Sequence, residues 1–230
     1  MTPTIERIVV VVPARDEAGT LSRCLASVQA AIDRAGLPAT VVLVLDSCTD
    51  SSAEIAATFP DVRVTTTDFA NVGRSRAWGV TQARVPADAD PDAVWLATTD
   101  ADSVVPVGWL TEHLRAAEEG AHAFVGAVVP VLHELDPERR RVWMRTHPPG
   151  ATVGHVHGAN LGLRLSAYTA IGGFTFLETG EDVDIVGRLR ERQIRIAASD
   201  AHPVVTSSRL TGRVRDGYAQ YLADLAPTAL

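Results

Sequence analysis

Residues 8–17 read IVVVVPARDE, and this stretch decides the fold. Five consecutive β-branched residues are typical of a strand that is buried on both faces, as in a parallel sheet, and Pro13 ends it. Apolar residues then recur at helical spacing between Leu21 and Ile32, which predicts a helix directly after the first strand. A second buried run, VVLVL at residues 41–45, follows that helix. Strand, helix and strand in this order predict a βαβ unit.

The same alternation continues along the chain. Further strands are predicted at residues 62–66, 94–98, 121–132, 158–165, 193–198 and 203–207. Further helices are predicted at residues 52–58, 73–84, 108–119, 181–192 and 217–225, with a helical turn at 166–171 and a partly irregular segment at 136–157. Because βαβ units are right-handed, the pattern predicts one α/β domain with a Rossmann-like, open and mostly parallel sheet, helices on both faces and a small mixed C-terminal region.

The basic residues exclude two classes of enzyme. All 21 of them are arginine, and the sequence contains no lysine. A P-loop needs a lysine on the transferred phosphates, and a Schiff-base enzyme needs one to bind its carbonyl substrate. Neither chemistry is therefore available to this chain.

Charge and hydropathy limit the partners. The net charge is −7, which argues against nucleic acid or an anionic membrane surface as the main partner. The sequence has no apolar run long enough to cross a bilayer, and its first residues do not have the pattern of a signal peptide. Two cysteines cannot make a disulfide framework in 230 residues. We therefore expect a cytoplasmic location.

Polar residues follow three of the predicted strands. The first strand is followed by Pro13-Ala14-Arg15-Asp16-Glu17, the second by Asp46-Ser47-Cys48-Thr49-Asp50 and the fourth by Asp100-Ala101-Asp102. In an open α/β sheet the ligand binds at the carboxyl ends of the strands, so these side chains are expected at one edge. Carboxylates that converge there repel one another unless a cation compensates, and a divalent metal that holds a diphosphate would supply that charge.

Asp100 and Asp102 are the sharpest local feature. Two carboxylates at i and i+2 in an extended segment can face one hard cation, and Mg²⁺ or Mn²⁺ would accept them together with phosphate oxygens. The alternative is a solvated pair or a pair that caps a turn.

Three other positions have a functional and a structural interpretation. Asp46 either accepts a hydrogen bond from a base imide or caps an Asx-turn. Arg74 and Arg76 follow Gly73 at a predicted helix start, where they either meet a diphosphate or lie on a solvated helix face.

A carboxylate pair opens a later helix. Glu181 and Asp182 either cap that helix or supply a general base that deprotonates an incoming hydroxyl group. His155 and His157 lie on one side of an extended segment, and without a third ligand they indicate substrate contact rather than a zinc site.

In this order, the motifs resemble the family 2 glycosyltransferases of the GT-A fold. The resemblance covers about four-fifths of the chain, and its tail is similar to a small soluble actinobacterial-type branch. The matching stretches are VVVVPARDEAGTLSRCLASV at 9–28, VVLVLDSCTDSS at 41–52, VGRSRAWGV at 72–80, WLATTDADSVVPVGWL at 95–110, HGANLGLRLSAYTAIGGF at 157–174 and TGEDVDIVGRL at 179–189.

The resemblance implies a role for each motif residue. Residues 1–103 would form the nucleotide-sugar-binding half, and residues 104–230 the acceptor-binding half. The donor residues implied are Pro13, Ala14, Arg15, Glu17, Asp46, Gly73, Arg74, Arg76, Asp100 and Ala101. The acceptor and sugar residues implied are His157, Gly158, Ala159, Asn160, Arg209 and Arg213. Asp182 would be the base with Glu181 beside it, and Asp100, Asp102 and His202 would hold Mn²⁺ or Mg²⁺.

The resemblance also implies an activity: transfer of one sugar from a UDP- or GDP-sugar to an unidentified hydroxyl acceptor, with inversion. It allows a homodimer. One departure is that the usual double aspartate after the second strand is Leu45-Asp46 here, so a single carboxylate would meet the base.

Three other classes of protein have partly similar motifs. A nucleotide-sugar pyrophosphorylase needs a glycine-rich first loop and a lysine, and a haloacid-dehalogenase-like phosphatase needs its aspartate motif near the N-terminus and a later lysine. A nucleotide-sugar-binding protein without catalysis remains the third alternative, and turnover separates it from an enzyme.

Overall fold

A seven-stranded sheet forms the centre of the protein in a computed structural model that describes residues 3–148, 150, 154–212 and 217–225. The strands are β1 (Arg7–Ala14), β2 (Ala39–Asp46), β3 (Val62–Thr67), β4 (Val94–Thr98), β5 (Ala123–Pro130), β6 (Leu161–Arg164) and β7 (Ile196–Thr206). Their order across the sheet is β3-β2-β1-β4-β6-β5-β7, and all neighbours are parallel except β6, which runs antiparallel to β4 and β5.

Eight helices connect the strands over the described residues. They are α1 (Leu21–Ala35), α2 (Ser52–Ala56), α3 (Val72–Gln82), α4 (Trp109–Glu118), α5 (Pro137–Thr146), α6 (Leu165–Ala170), α7 (Glu181–Glu191) and α8 (Tyr218–Asp224). A 3₁₀ turn, Gly158–Asn160, precedes β6. Within the described part of the chain, no helix has the length and apolar character needed to span a membrane.

The first strand explains why helices cover both faces of the sheet. Ile8, Val10 and Val12 pack into one core with α1 and α4, whereas Val9 and Val11 point into the opposite core with α3 and α6. Side chains alternate along a strand, so an unbroken apolar run supplies both cores. The predicted α/β fold with an open, mostly parallel sheet is confirmed.

Two segments differ from the sequence-based prediction. Residues 136–157 were expected to be partly irregular, but Asp136 accepts hydrogen bonds from the amides of Glu138 and Arg139 and begins α5, with Pro137 in its first turn. An aspartate followed by proline is a common helix start. The strands expected at 193–198 and 203–207 are one strand, β7.

The break predicted inside β7 corresponds to a bulge. Ser199 pairs with Gly126 and Val204 pairs with Val128, so four residues of β7 lie opposite one residue of β5. Pro203 falls in this bulge, and β7 is an edge strand, where a residue without an amide hydrogen is tolerated.

A buried polar network crosses the sheet beside β6. Asn160 is 1% exposed; its Oδ1 atom accepts hydrogen bonds from Trp109 Nε1 at 2.8 Å and from His113 Nε2 at 3.1 Å, and its Nδ2 atom donates to the carbonyl of Ala127. The prediction that Asn160 contacts acceptor or sugar is therefore wrong, because both ends of its amide are occupied inside the protein.

His113 is neutral in this network. Trp95 Nε1 donates to His113 Nδ1 at 3.1 Å, so Nε2 carries the hydrogen that Asn160 accepts. Burial lowers the pKa of His113 to about 4, from about 6.5 for an exposed histidine. Its stabilising contribution is therefore complete above pH 6.5 and is lost as the pH falls toward 4.

We predict that His113→Gln reduces the acid sensitivity of the protein. Glutamine retains a donor and an acceptor but does not titrate near neutral pH. Between pH 7 and pH 5, the free energy of unfolding of the wild type should fall by about 2 kcal/mol more than that of the variant, at about 1.4 kcal/mol per unit of pKa shift. Urea unfolding at the two pH values measures this difference. His133→Gln, at an exposed position, should behave like the wild type; equal losses in wild type and His113→Gln would contradict the prediction.

Gly79 and Gly187 form a matched pair for the packing of helices. A Cβ atom on Gly79 of α3 would collide with Val11 and lie 3.1 Å from Val44 Cγ2, whereas one on Gly187 of α7 would meet no atom within 4 Å. Gly79→Ala should therefore lower the free energy of unfolding by about 1–3 kcal/mol through overpacking. Gly187→Ala should raise it by about 0.5–1 kcal/mol, since alanine favours the helix. Thermal or urea unfolding of both variants tests the close packing of α3 on the sheet. Equal changes in the free energy of unfolding of the two variants would contradict this packing.

Candidate active site

One cavity of about 930 Å³ lies at the carboxyl ends of β1, β2 and β4. This size suits a small-molecule ligand. The predicted site residues that line it are Pro13, Ala14, Arg15, Glu17, Asp46, Arg76, Asp100, Ala101, Asp102, His157, Gly158, Ala159, Glu181, Asp182 and Arg209. The sheet edge proposed from the sequence is therefore where these residues meet.

Asp100 and Asp102 follow β4 and both line the cavity. The Oδ1 atom of Asp102 accepts hydrogen bonds from the hydroxyl groups of Ser103 and Thr206, and only 10% of its side chain is exposed. Burial, and then the negative charge of Asp100, raise the pKa of Asp102, while Arg209 opposes the shift. Two carboxylates this close favour a cation beside them.

Arg76 is the cation beside Asp100. Its guanidinium is buried, with 3% of the side chain exposed; it forms an ion pair with Asp100 Oδ1 at 2.5 Å and another with Glu181. Among the described residues, its Nε atom has no hydrogen-bond partner. The sequence-based expectation that Arg76 meets a diphosphate is replaced by this role, because carboxylates of the protein occupy its fork.

Glycine is required where the chain passes Arg76. A Cβ atom on Gly158 would collide with the guanidinium of Arg76. The amide of Gly158 donates to Asp182 Oδ2 at 2.8 Å, so the same residue makes room for the arginine and orients the aspartate. Glu181 is the second carboxylate partner of Arg76. Burial raises the pKa of Glu181, and the positive charge of Arg76 opposes this shift.

Asp182 lies in the first turn of α7, half-buried in the cavity wall. Gly180 precedes this turn in the left-handed region, at φ +77°, which a residue with a side chain adopts only at a cost. Each carboxylate oxygen of Asp182 accepts one backbone amide, from Gly158 and from Val183. An oxygen with two lone pairs keeps one for a ligand, so Asp182 retains the capacity of a base.

Arg209 pairs with two carboxylates of the cavity. Its Nη1 atom lies 2.8 Å from Glu17 Oε1 and its Nη2 atom 3.0 Å from Asp102 Oδ2. Arg209 follows β7 and Glu17 follows β1, so this contact joins the segment after the last strand to the loop after the first strand. Arg213, predicted beside it, lies outside the described residues.

Asp46 anchors the segment that leads into α3. Its two oxygens accept hydrogen bonds from the amides of Ala70 and Asn71 and from the hydroxyl groups of Thr67, Ser75 and Ser47. These donors lower its pKa against the effect of burial. Asp46 lines the cavity, but its oxygens do not cap an Asx-turn in the loop that follows β2, because most of their donors come from the distant segment between Thr67 and Ser75.

Besides Asn160, three predicted residues do not line the cavity as the structure describes it. The guanidinium of Arg74 is exposed and lies over the rings of Phe69 and Phe176, at 4.3 and 5.5 Å from their centroids. Gly73 allows close approach of Thr175, whose carbonyl oxygen a Cβ atom would strike. The ring of His202 lies against Gly108, before α4, in the bulge of β7. His202 is therefore not among the residues that line the cavity with Asp100 and Asp102.

Aromatic and imidazole rings form another side of the cavity, which we call the aromatic wall. Its members are His147, His155, His157, Tyr218 and Tyr221. His147 stacks on Trp143 at 4.5 Å, and its Nε2 atom is 3.1 Å from the hydroxyl group of Tyr221. Sequence reasoning missed the two tyrosines, although their i, i+3 spacing in a predicted helix places them on one face.

A second group of ligand-type atoms lies at the edge of the same loops. Asp16, Cys48 and Asp50 each have one such atom within 4.8 Å of the others. Asp16 Oδ1 accepts hydrogen bonds from the amides of Thr49 and Asp50, and Asp50 Oδ2 accepts one from Ala18. These contacts hold the loops after β1 and β2 together.

Known structures share this fold. S. aureus TarS residues 1–349 in complex with UDP-GlcNAc gives a TM-score of 0.65 at 15% identity, over 92% of this chain and 61% of that one. The mannosyltransferase PcManGT from Pyrobaculum calidifontis, in complex with GDP-Man and Mn²⁺, gives 0.61 at 17% identity, over 93% and 59%. Glucosyl-3-phosphoglycerate synthase from Mycobacterium tuberculosis, in complex with Mn²⁺, UDP and phosphoglyceric acid, gives 0.59 at 16%, over 96% and 74%.

At such identities the similarity shows the fold, and this chain spans only about three-fifths of the TarS 1–349 fragment and of PcManGT. Comparison with curated protein sequences gives no match. The sequence profile of glycosyl transferase family 2 matches residues 9–172, which is more than half of the chain. The chain therefore belongs to glycosyl transferase family 2.

Proposed function

We propose that this chain transfers one sugar from a nucleotide-diphosphate sugar to a hydroxyl acceptor, with inversion and with a divalent metal. The observation that carries the proposal is the sharing of one cavity by two carboxylate centres, Asp100–Asp102 and Asp182. Asp100 and Asp102 suit a divalent metal that binds the diphosphate of the leaving group. Asp182 suits the removal of the proton from an incoming hydroxyl group.

The residues after β4 suit a divalent metal. Carboxylate oxygens are the ligands that Mg²⁺ and Mn²⁺ prefer, and Asp102 presents Oδ2 toward a cation, since Oδ1 is turned to Thr206 and Ser103. Asp102 and the exposed part of Asp100 would hold the ion. When bound, the ion would neutralise the charge of the departing nucleoside diphosphate. The Mn²⁺ in the complexes of PcManGT and of the mycobacterial synthase supports this assignment.

Asp182 would act as the general base. The amides of Gly158 and Val183 fix its carboxylate in the cavity wall, where an oxygen can accept the proton of the acceptor hydroxyl group. The deprotonated oxygen would attack the anomeric carbon from the side opposite to the diphosphate, which inverts its configuration. Glu181 would position this turn through its ion pair with Arg76 rather than touch the substrate.

Arginines would supply the remaining positive charge, since the chain has no lysine. Arg15 is exposed at the cavity, whereas Arg76 and Arg209 are paired with carboxylates. Arg15 is therefore the cation best placed to meet a diphosphate on arrival. The aromatic wall offers flat apolar faces with hydrogen-bonding tips, which suit the ring of a sugar or of an acceptor.

We predict different effects for the two carboxylate centres. Asp182→Asn retains the oxygen that accepts from Gly158 but loses the base, so release of UDP or GDP should fall about 10²–10⁴-fold while donor binding is retained. Asp102→Asn should abolish the Mn²⁺-dependent rise in melting temperature that a UDP- or GDP-sugar produces. A thermal-shift panel of nucleotide-sugars, followed by nucleotide release with an acceptor panel, measures both effects.

Asp61→Asn, at an exposed position outside the cavity, is the matched control and should match the wild type. Binding that depends on metal, with no release for any acceptor, would favour a nucleotide-sugar-binding protein without catalysis. NMR of the product tests the base: an inverted anomeric centre supports Asp182, and a retained one contradicts it.

A further inference from the structure

Each aspartate of the Asp100–Asp102 pair has its own arginine, and the two arginines differ in exposure. Arg76 holds Asp100 with 3% of its side chain exposed, whereas Arg209 holds Asp102 with 34% exposed. A buried guanidinium fixed between carboxylates cannot leave without stranding charges in the interior. A guanidinium with a third of its surface in solvent is easier to move than a buried one, because water can solvate it once it leaves the carboxylates.

Arg209 neutralises two carboxylates that would otherwise repel each other. Its fork spans Glu17 after β1 and Asp102 after β4, and each of these side chains is about 10% exposed. Glu17 has a further contact, from the hydroxyl group of Thr20 to Oε2. The guanidinium therefore places positive charge next to both carboxylates.

Arg209 and a divalent metal would compete for one oxygen of Asp102, the Oδ2 atom. Asp102 Oδ1 accepts hydrogen bonds from the hydroxyl groups of Ser103 and Thr206, whereas Oδ2 lies 3.0 Å from Arg209 Nη2. A divalent ion on Oδ2 and a guanidinium at its present position would be like charges within a few ångströms, in a site with little solvent to screen them.

We infer that Arg209 is an exchangeable cation that occupies Asp102 until a divalent metal takes its place. The inference rests on the proposed function for the identity of the entering cation. Arg209 is a positioning residue: it keeps the carboxylates of Asp102 and Glu17 in place in the metal-free protein, and its departure exposes Oδ2. Arg209 lines the same cavity as Asp100 and Asp102, so its guanidinium can stay in the cavity after it leaves Asp102.

The test uses the whole chain and Mn²⁺ alone, without nucleotide. The electron paramagnetic resonance signal of free Mn²⁺ gives the Kd for wild type, Arg209→Gln and Arg209→Lys. Removal of a competing, partly exposed ion pair should tighten Mn²⁺ binding about three- to tenfold in Arg209→Gln. Arg209→Lys keeps the charge but loses the fork, so its Kd should fall between the two.

Arg115→Gln is the matched control. Arg115 also bridges two carboxylates, Glu112 and Glu119, but outside the cavity, so its loss should leave the Kd for Mn²⁺ unchanged. Melting temperatures provide a second readout: Arg209→Gln should melt lower than wild type without metal and gain more from saturating Mn²⁺. If Arg209→Gln does not fold, Arg209→Lys is compared with wild type instead, and a lower Kd for Mn²⁺ in Arg209→Lys supports the inference.

The inference is overturned if Arg209→Gln binds Mn²⁺ no more tightly than wild type, or if no variant binds Mn²⁺. The proposed function fails separately. If Arg209→Gln gains affinity for Mn²⁺ but neither UDP-sugars nor GDP-sugars bind any of the proteins, the exchange at Asp102 stands and the sugar transfer does not.

Discussion

The site depends on one interaction, the pairing of the buried Arg76 guanidinium with the carboxylates of Asp100 and Glu181. Removing a guanidinium from water is costly, and only carboxylates in good geometry offset the cost. Here the two carboxylates come from different parts of the chain, Asp100 after β4 and Glu181 at the start of α7, while Arg76 comes from α3. The arginine therefore fixes the separation between the residues after β4 and the start of α7.

Other features of the site follow from that contact. Gly158 must lack a side chain because a Cβ atom would collide with the guanidinium, and its amide then reaches Asp182. Asp182 is the neighbour of Glu181, so the ion pair that holds Glu181 also holds the turn that carries the proposed base. Desolvation and the order of the chain thus connect the buried Arg76 to the position of Asp182.

Local patterns were sufficient to predict the sheet edge but not the partners within it. Asp46, Asp100 and Asp102 each follow a buried strand, and a parallel sheet brings such ends together whatever the loops do. An arginine at a helix start has the same sequence pattern whether it faces a ligand or a carboxylate 105 residues away, as Arg76 does. Asn160 was misplaced for the same reason, since only the fold shows that Trp109 and His113 occupy its amide.

The helix α5 could have been predicted from the sequence. Its Asp136-Pro137 start is a local signal, and a helix from there ends next to His147, a member of the aromatic wall. The absence of lysine, in contrast, was informative from the start: a planar fork can bridge two carboxylates, and both Arg76 and Arg209 do so. A lysine ammonium group is a point charge and lacks that geometry.

The most direct test of the account is the position of Mn²⁺ in a crystal grown with UDP or GDP, located by its anomalous scattering. We expect a peak at roughly 2 Å from Asp102 Oδ2, the distance typical of a small divalent ion, with Arg209 moved away and Arg76 still between Asp100 and Glu181. A peak at the group of Asp16, Cys48 and Asp50, with Arg209 still on Asp102, would contradict it.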